Sequence, residues 1–254
     1  MPLRRPEEEC SMIRNIRLEI EYDGTDFHGW QLQPKLRTVQ GEIQERLKTI
    51  LKHELNLIGS GRTDVGVHAL GQVANFKTEN QLDTQSILRG LNGLLPDDIV
   101  VTRVDEASLD FNARYSPKSR IYRYRVYQNR TAVLRNYVWE VLYSLSLENM
   151  LEATKRIVGE HDFSSFCMAE SSKEDNICKV SSAVWEKSGK ELTFTIEANR
   201  FLHTMVRSLV GTLIDVGRGY LSVSDFVQIM KAKDRRRAGP TAPARGLYLV
   251  EVKY

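Results

Sequence analysis

Cysteine is scarce in this chain of 254 residues: there are three, Cys10, Cys167 and Cys178. An odd, sparse count argues against a secreted disulfide framework, and the spacing matches no metal-ligand pattern. Long hydrophobic runs are also missing, and no apolar stretch approaches the length of a membrane span. Residues 1–10 are polar with no apolar core, which argues against a signal peptide. These absences point to a cytoplasmic chain with no membrane partner, and residues 1–12 read as a flexible tail. Excess charge is lacking too. A net charge of +3 neither demands nor excludes nucleic acid, so the distribution of charge matters more than its sum.

What is present supports a buried core: 41% of residues are hydrophobic and 27% charged, as in soluble globular domains. Basic residues cluster at 118–125, 130–135 and 231–237. The last cluster also fits a solvated helix end favoured by the dipole. Ile16, Leu18, Ile20 and Tyr22 alternate with polar neighbours, predicting a half-buried strand. Val39, Ile43, Leu47, Ile50 and Leu51 share one face of a helix starting near Thr38. Strands are expected at 55–58 and 72–78, a helix at 84–92 and a strand at 99–104. The second half gives a strand at 120–128 and a helix at 146–158. Ser146 is its N-cap and Gly159 its stop. A hairpin follows at 180–186 and 192–198, then helices at 200–216 and 222–233 and a final strand at Leu247–Lys253. Each half reads β-α-β-β-α-β, the second with one extra helix; this is the order of a ferredoxin-like unit, without a matching residue repeat. The predicted class is α+β, with one unit over 13–115 and another over 116–254.

The densest chemistry lies in Gly59-Ser60-Gly61-Arg62-Thr63-Asp64-Val65-Gly66-Val67-His68-Ala69. Glycines permit positive φ and close approach of another molecule. The segment reads as a tight loop between strands that presents a carboxylate beside a cation. An ordinary glycine-rich hairpin with a surface Asp–Arg pair fits the spacing as well. Thr63 and His68 suit loop scaffolding. In Arg120-Ile121-Tyr122-Arg123-Tyr124-Arg125-Val126, Tyr122, Tyr124 and Val126 fall on one strand face and the arginines on the other. Rings interleaved with arginines suit RNA, while core tyrosines with solvated arginines fit the same pattern. Asp64 and His68, or Asp23, Asp26 and His28, match no standard metal-ligand set. No nucleophile elbow supports a Ser-His-acid site.

The loop segment resembles the Gly-Arg-Thr-Asp-x-Gly-Val-His-Ala signature of the tRNA pseudouridine synthase A family. So does Glu21-Tyr22-Asp23-Gly24-Thr25-Asp26-Phe27-His28-Gly29-Trp30-Gln31. The same is true of Asn199-Arg200-Phe201-Leu202-His203-Thr204-Met205-Val206-Arg207 and of Gly246-Leu247-Tyr248-Leu249. Ser60 and Val65 depart from the pattern, where alanine is usual. The resemblance runs from about Ile20 to Leu249, and separated motifs in order are specific. It implies the two units joined into a mostly antiparallel central sheet, with helices on one side and a cleft between the halves. It also implies a homodimer acting on tRNA, with no cofactor, because the isomerisation is neither redox chemistry nor hydrolysis.

The resemblance further implies that uridines at about positions 38, 39 and 40 of the anticodon stem-loop are extruded and isomerised to pseudouridine. It makes Asp64 the nucleophile and Arg207 its buried partner, a planar cation that favours the ionised acid. Tyr122 contacts the target base and is the candidate for the C5 proton. A free phenol titrates near about 10 and is a poor base near neutrality, which favours stacking. Arg62 binds phosphate or fills the space left by the base, and Leu247 lines the base pocket. Two other readings share parts of this pattern. One is a non-catalytic RNA-binding module in which Asp64 has no special role. The other is a small-molecule hydrolase or glycosidase, which needs a second carboxylate near Asp64.

Overall fold

A computed structural model describes residues 12–168 and 176–254. The expected tail therefore lies outside the described residues except for Met12. The first half contributes strand β1 (Arg14–Tyr22), helix α1 (Val39–Leu51), strands β2 (Ile58–Gly59) and β3 (His68–Thr78), helix α2 (Thr84–Leu94) and strand β4 (Ile99–Ala107). The second contributes β5 (Ser119–Tyr127), β6 (Trp139–Glu140), α3 (Leu147–Lys155), β7 (Gly159–Asp162), β8 (Ile177–Ser188), β9 (Glu191–Ala198), α4 (Met205–Gly217), α5 (Val223–Ala232) and β10 (Leu247–Lys253).

Among the described residues the ten strands form one sheet, ordered β4-β1-β3-β10-β5-β9-β8-β7, with β2 beside β3 and β6 beside β5. All pairings are antiparallel except β10 with β3 and β5 with β6. The fold is thus mixed α+β around a mostly antiparallel sheet. Strand β3 is the seam. One of its edges pairs with β1. The other is shared, since Ile58 and Gly59 of β2 face Asn75 and Ala74, while Tyr248 and Leu249 of β10 face His68 and Ala69. The segment from β2 to β3, which carries Asp64, therefore starts and ends where the halves meet.

Local chemistry explains most boundaries. The Thr38 hydroxyl accepts from the Gly41 N–H at the start of α1, and Val39, Ile43, Leu47 and Leu51 are buried. Asp83 and Ser146 cap α2 and α3 in the same way. Ser222 and Asp225 form a reciprocal capping box on α5, which satisfies N–H groups the helix cannot. Three expectations need correction. Helix α4 starts at Met205, not at residue 200, because Thr204 sits in the left-handed region at φ 63. Helix α3 ends at Lys155, and Gly159, at φ 115, opens strand β7 instead of only stopping a helix. The basic run 231–237 is not one helix end: α5 stops at Ala232, and Arg235–Arg237 form a separate 3₁₀ turn capped by Asp234.

Helix α4 is buried at every position except Arg207. A helix apolar on all sides belongs inside a core. A single guanidinium on it is therefore held by its surroundings and not by solvent.

Candidate active site

Two loops build the floor of the site. The Gly24 Cα lies so close to the 60–67 loop that a Cβ there would sit 2.0 Å from the Val67 carbonyl oxygen. Gly29 has φ +84, and a Cβ on it would lie 2.7 Å from the Thr63 carbonyl oxygen. The Trp30 N–H donates to that same carbonyl at 3.1 Å. The Thr63 hydroxyl meets the buried Tyr22 hydroxyl at 2.7 Å, and burial pushes the Tyr22 phenol up. The loop also closes on itself, with Val67 N–H donating to the Asp64 carbonyl at 3.2 Å.

His68 clamps this arrangement to the second half. Its Nδ1 accepts from the Gly24 N–H at 3.1 Å, and its Nε2 lies 3.2 Å from the carbonyls of Asn136 and Arg245. Its ring stacks on Tyr248 with centroids 4.8 Å apart. Burial lowers its pKa and favours the neutral ring. Beside it, burial alone would raise Asp23, but hydrogen bonds from Thr25 and Tyr137 hold that carboxyl below the usual range.

Asp64 stands on this floor. Its Oδ2 accepts from Arg207 Nη1 at 2.7 Å, and its Oδ1 lies 3.2 Å from His203 Nε2. The Asp64 and Arg207 side chains are 23% and 19% exposed, so the pair is largely withdrawn from water yet reachable. Arg207 Nε donates to the Ala242 carbonyl at 2.8 Å, which fixes the fork. His203 is 52% exposed. Sequence reasoning passed over it, although it lies four residues before Arg207 in the same motif.

A cavity of about 1250 Å³ opens over this pair. Asp64, Arg62, Tyr122, Arg207 and Leu247 all line it, so the sequence-derived candidates meet at one place. Asp64 is the only carboxylate among its described lining residues, against Arg62, Arg114 and Arg207. Arg62 is exposed, and Asp64 is engaged by Arg207 and His203 instead of by it. Leu247 is buried.

Tyr122 and Tyr124 share the buried face of β5, as alternation predicts, yet they differ in surroundings. Tyr124 belongs to the core, its hydroxyl donating to the Pro243 carbonyl at 2.7 Å. Tyr122 reaches the cavity wall and meets Phe201 edge-on at 4.9 Å. Burial chiefly pushes its phenol up, to about 12. Arg120 opposes the rise and Asp64 adds to it. No group of three or more His, Cys, Asp or Glu among the described residues is placed to hold a metal. No described helix is long and apolar enough to cross a membrane.

The site is thus a carboxylate fixed by a largely withdrawn arginine, in a basic cavity that Tyr122, Tyr115 and Phe201 also line. Comparison with known proteins gives that site a family. The family model described as tRNA pseudouridine synthase matches residues 19–116 and 153–254. A tRNA pseudouridine synthase A of Caldicellulosiruptor saccharolyticus is 46% identical over 244 residues, covering 95% of this chain and 100% of that protein. One of the same name from Geobacillus kaustophilus is 46% identical over 246 residues, covering 96% and 95%. A solved Cbf5-Nop10-Gar1 complex matches with a TM-score of 0.35 at 15% identity, over 79% of this chain and 54% of that one; that likeness is too slight to bear on the site. The chain belongs to the tRNA pseudouridine synthase family.

Proposed function

We propose that this chain isomerises uridine to pseudouridine in tRNA, at about positions 38, 39 and 40 of the anticodon stem-loop, on a base drawn out of its stack. The observation that carries the reading is Asp64, the single carboxylate among the described cavity-lining residues, held at 2.7 Å by Arg207 in a cavity that Tyr122 and Leu247 also line. A glycosidase needs a second carboxylate nearby, and the described cavity wall offers none.

The reaction breaks the bond from C1′ to N1, turns the base, and joins C5 to C1′. One proton leaves C5 and N1 gains one, so no electron is gained or lost. Asp64 supplies the negative oxygen, as nucleophile or as stabiliser of the sugar cation. Arg207 holds it oriented through the 2.7 Å hydrogen bond to Oδ2. Arg207 already spans the Ala242 carbonyl and the carboxylate, so little reorganisation accompanies the reaction. Tyr122 stays protonated near neutrality and serves as the stacking wall for the base. Arg62, exposed on the rim, enters the gap left in the helix. Leu247 closes the pocket on the apolar side.

The sheet order supports two ferredoxin-like units over 13–115 and 116–254: the first half runs fourth, first, third, second, and β10, β5, β9 and β8 repeat that order once the short β6 and β7 are set aside. The helices then cover one side and the cleft falls between the units. A homodimer working in the cytoplasm completes the reading. The test is tritium release from C5 of unmodified tRNA. Release by the wild type and its loss in Asp64→Asn with tRNA still bound is the expected result. No release at high enzyme concentration overturns the reading.

A further inference from the structure

Turning uridine into pseudouridine requires a group that takes a proton from C5 and returns one to N1. Few side chains around the cavity are suited to that exchange. The guanidinium groups of Arg62, Arg114 and Arg207 donate and accept nothing. A phenol, with its ordinary value of about 10, is a poor base near neutrality, and burial makes Tyr122 poorer still. Asp64, the single carboxylate among the described lining residues, is committed to the sugar. Two imidazoles remain, His28 and His203. Imidazole is the side chain used most often to move protons in catalysis.

The two imidazoles differ in their relation to the acid. His203 Nε2 lies 3.2 Å from Asp64 Oδ1. His28 is tied instead to its own loop, its N–H donating to the Arg37 carbonyl and its carbonyl accepting from Gln33. The turn that carries His203 is fixed on both sides. The Met205 N–H donates to the Leu202 carbonyl at 3.1 Å, and the Met168 N–H to the His203 carbonyl at 3.4 Å. Thr204 holds the left-handed position of that turn, at φ 63 and ψ 1, a place a β-branched residue rarely takes. Leu202 and Met205 are buried, so the backbone is pinned in the core while the His203 ring, half exposed, stays at the cavity. The carboxylate beside Nε2 favours the proton on that nitrogen, which leaves the lone pair on Nδ1.

Resting on the synthase reading above, we propose that His203 is a catalytic residue, the base that takes the C5 proton and the acid that protonates N1. Cleavage of the C1′–N1 bond leaves the base as an anion shared between N1 and C5. The C5 electron pair then joins C1′, and Asp64 is again a free carboxylate. C5 now carries both the sugar and its hydrogen. His203 Nδ1 takes that hydrogen as a proton, the pair that held it restores the C5–C6 double bond, and the negative charge returns to N1. The imidazolium gives a proton to N1, which is separated from C5 only by C6. One proton is taken and one given, and no electron is gained or lost. Asp64, freed at the step when the imidazolium forms, steadies that cation through Nε2, as a carboxylate does for a catalytic histidine.

The experiment follows single turnovers of the full chain on two unmodified tRNA transcripts, one with hydrogen and one with deuterium at C5 of its uridines. Transcript binding is measured in parallel. His203→Ala is expected to bind tRNA as the wild type does and to form product about a hundredfold more slowly, the scale of a lost general base. Its C5 isotope effect should exceed the wild type's, because proton removal has become the slow step. His203→Gln restores a donor to Asp64 and part of the rate, yet keeps the enlarged isotope effect, since an amide does not take the proton. A histidine that only aligned Asp64 would slow cleavage of the C1′–N1 bond and leave the isotope effect no larger than before. That result in both variants overturns the assignment, as does full wild-type rate in His203→Gln. Absence of wild-type product strikes the synthase reading and this role with it, whereas wild-type turnover with an unchanged isotope effect in the variants strikes His203 alone.

Discussion

Arg207 Nη1 lies 2.7 Å from Asp64 Oδ2, although 143 residues separate them in the chain. The same guanidinium holds the Ala242 carbonyl through Nε at 2.8 Å. One side chain on a buried helix thus ties the loop of the first half to the last turns of the second. In the proposed reading the pair serves folding and chemistry together, and substitutions can separate the two.

Arg207→Met leaves a largely withdrawn carboxylate without its cation. Breaking a fully buried pair costs about 3–5 kcal/mol, and the residual exposure here reduces that to roughly half by solvent screening. Denaturant unfolding should show a loss of about 2 kcal/mol, with turnover abolished. Arg207→Lys keeps the charge but not the fork. It should recover most of the stability and little of the rate.

Asp64→Asn removes the charge and keeps the shape. Turnover should fall about a thousandfold or more, the scale of losing a nucleophile, with tRNA affinity preserved in filter binding. Stability should change little, because the amide oxygen still accepts from Arg207. Retained tritium release in this variant would place the chemistry elsewhere.

His203→Ala deletes the other contact to the carboxylate. Its ring is half exposed, so thermal unfolding should be unaffected. The carboxylate loses one of its two anchors, and misalignment on that scale slows turnover by about tenfold or more. His203→Gln retains a donor at similar reach and should recover part of the rate. Equal rates in the wild type and His203→Ala would show that Arg207 alone fixes the acid.

Much of this architecture was legible because periodicity survives into the fold. Strand β1 alternates with period two, and α1 buries the stripe that its spacing predicts. The start of α4 was not legible: Phe201-Leu202 and Met205-Val206 look helical, and only the left-handed Thr204 divides them. Strands β6 and β7, at 2 and 4 residues, are too short for any period to show. The 60–67 loop drew notice through its glycines, but its pairing with Arg207 came only from the family resemblance. No local rule links positions so far apart. The clasp between Gly24 and Val67 is likewise a tertiary contact with no signature along the chain. His203 was hidden as one imidazole inside an apolar run.

Burial of the Tyr122 phenol predicts a titration of stability. Its folded pKa, about 12, exceeds the unfolded value of about 10. The folded state therefore favours the neutral phenol. That contribution is fully present below about pH 10 and is lost as pH rises toward about 12, by roughly 2–3 kcal/mol. Tyr122→Phe lacks it. Urea unfolding of both proteins from pH 8 to 12 should show the wild type losing stability more steeply between pH 10 and 12. The other raised tyrosines cancel in the difference. Parallel curves would mean that the phenol is solvated in the fold.

The contact beneath the site predicts opposite outcomes for two glycine-to-alanine changes. At Gly24 a Cβ would stand 2.0 Å from the Val67 carbonyl oxygen, a backbone atom that can move only with the Asp64 loop. Overpacking of this kind costs about 1–3 kcal/mol, and it shifts the carboxylate relative to Arg207. Gly24→Ala should therefore lower both the unfolding midpoint and turnover. Gly93 lies within α2 with nothing within 4 Å of a built Cβ. There alanine gains helix propensity, about 0.5–1 kcal/mol, so Gly93→Ala should raise the midpoint and leave turnover unchanged. If Gly24→Ala lost stability but kept the full rate, the loop would be able to shift without moving Asp64, and the first loop would be a fold element only.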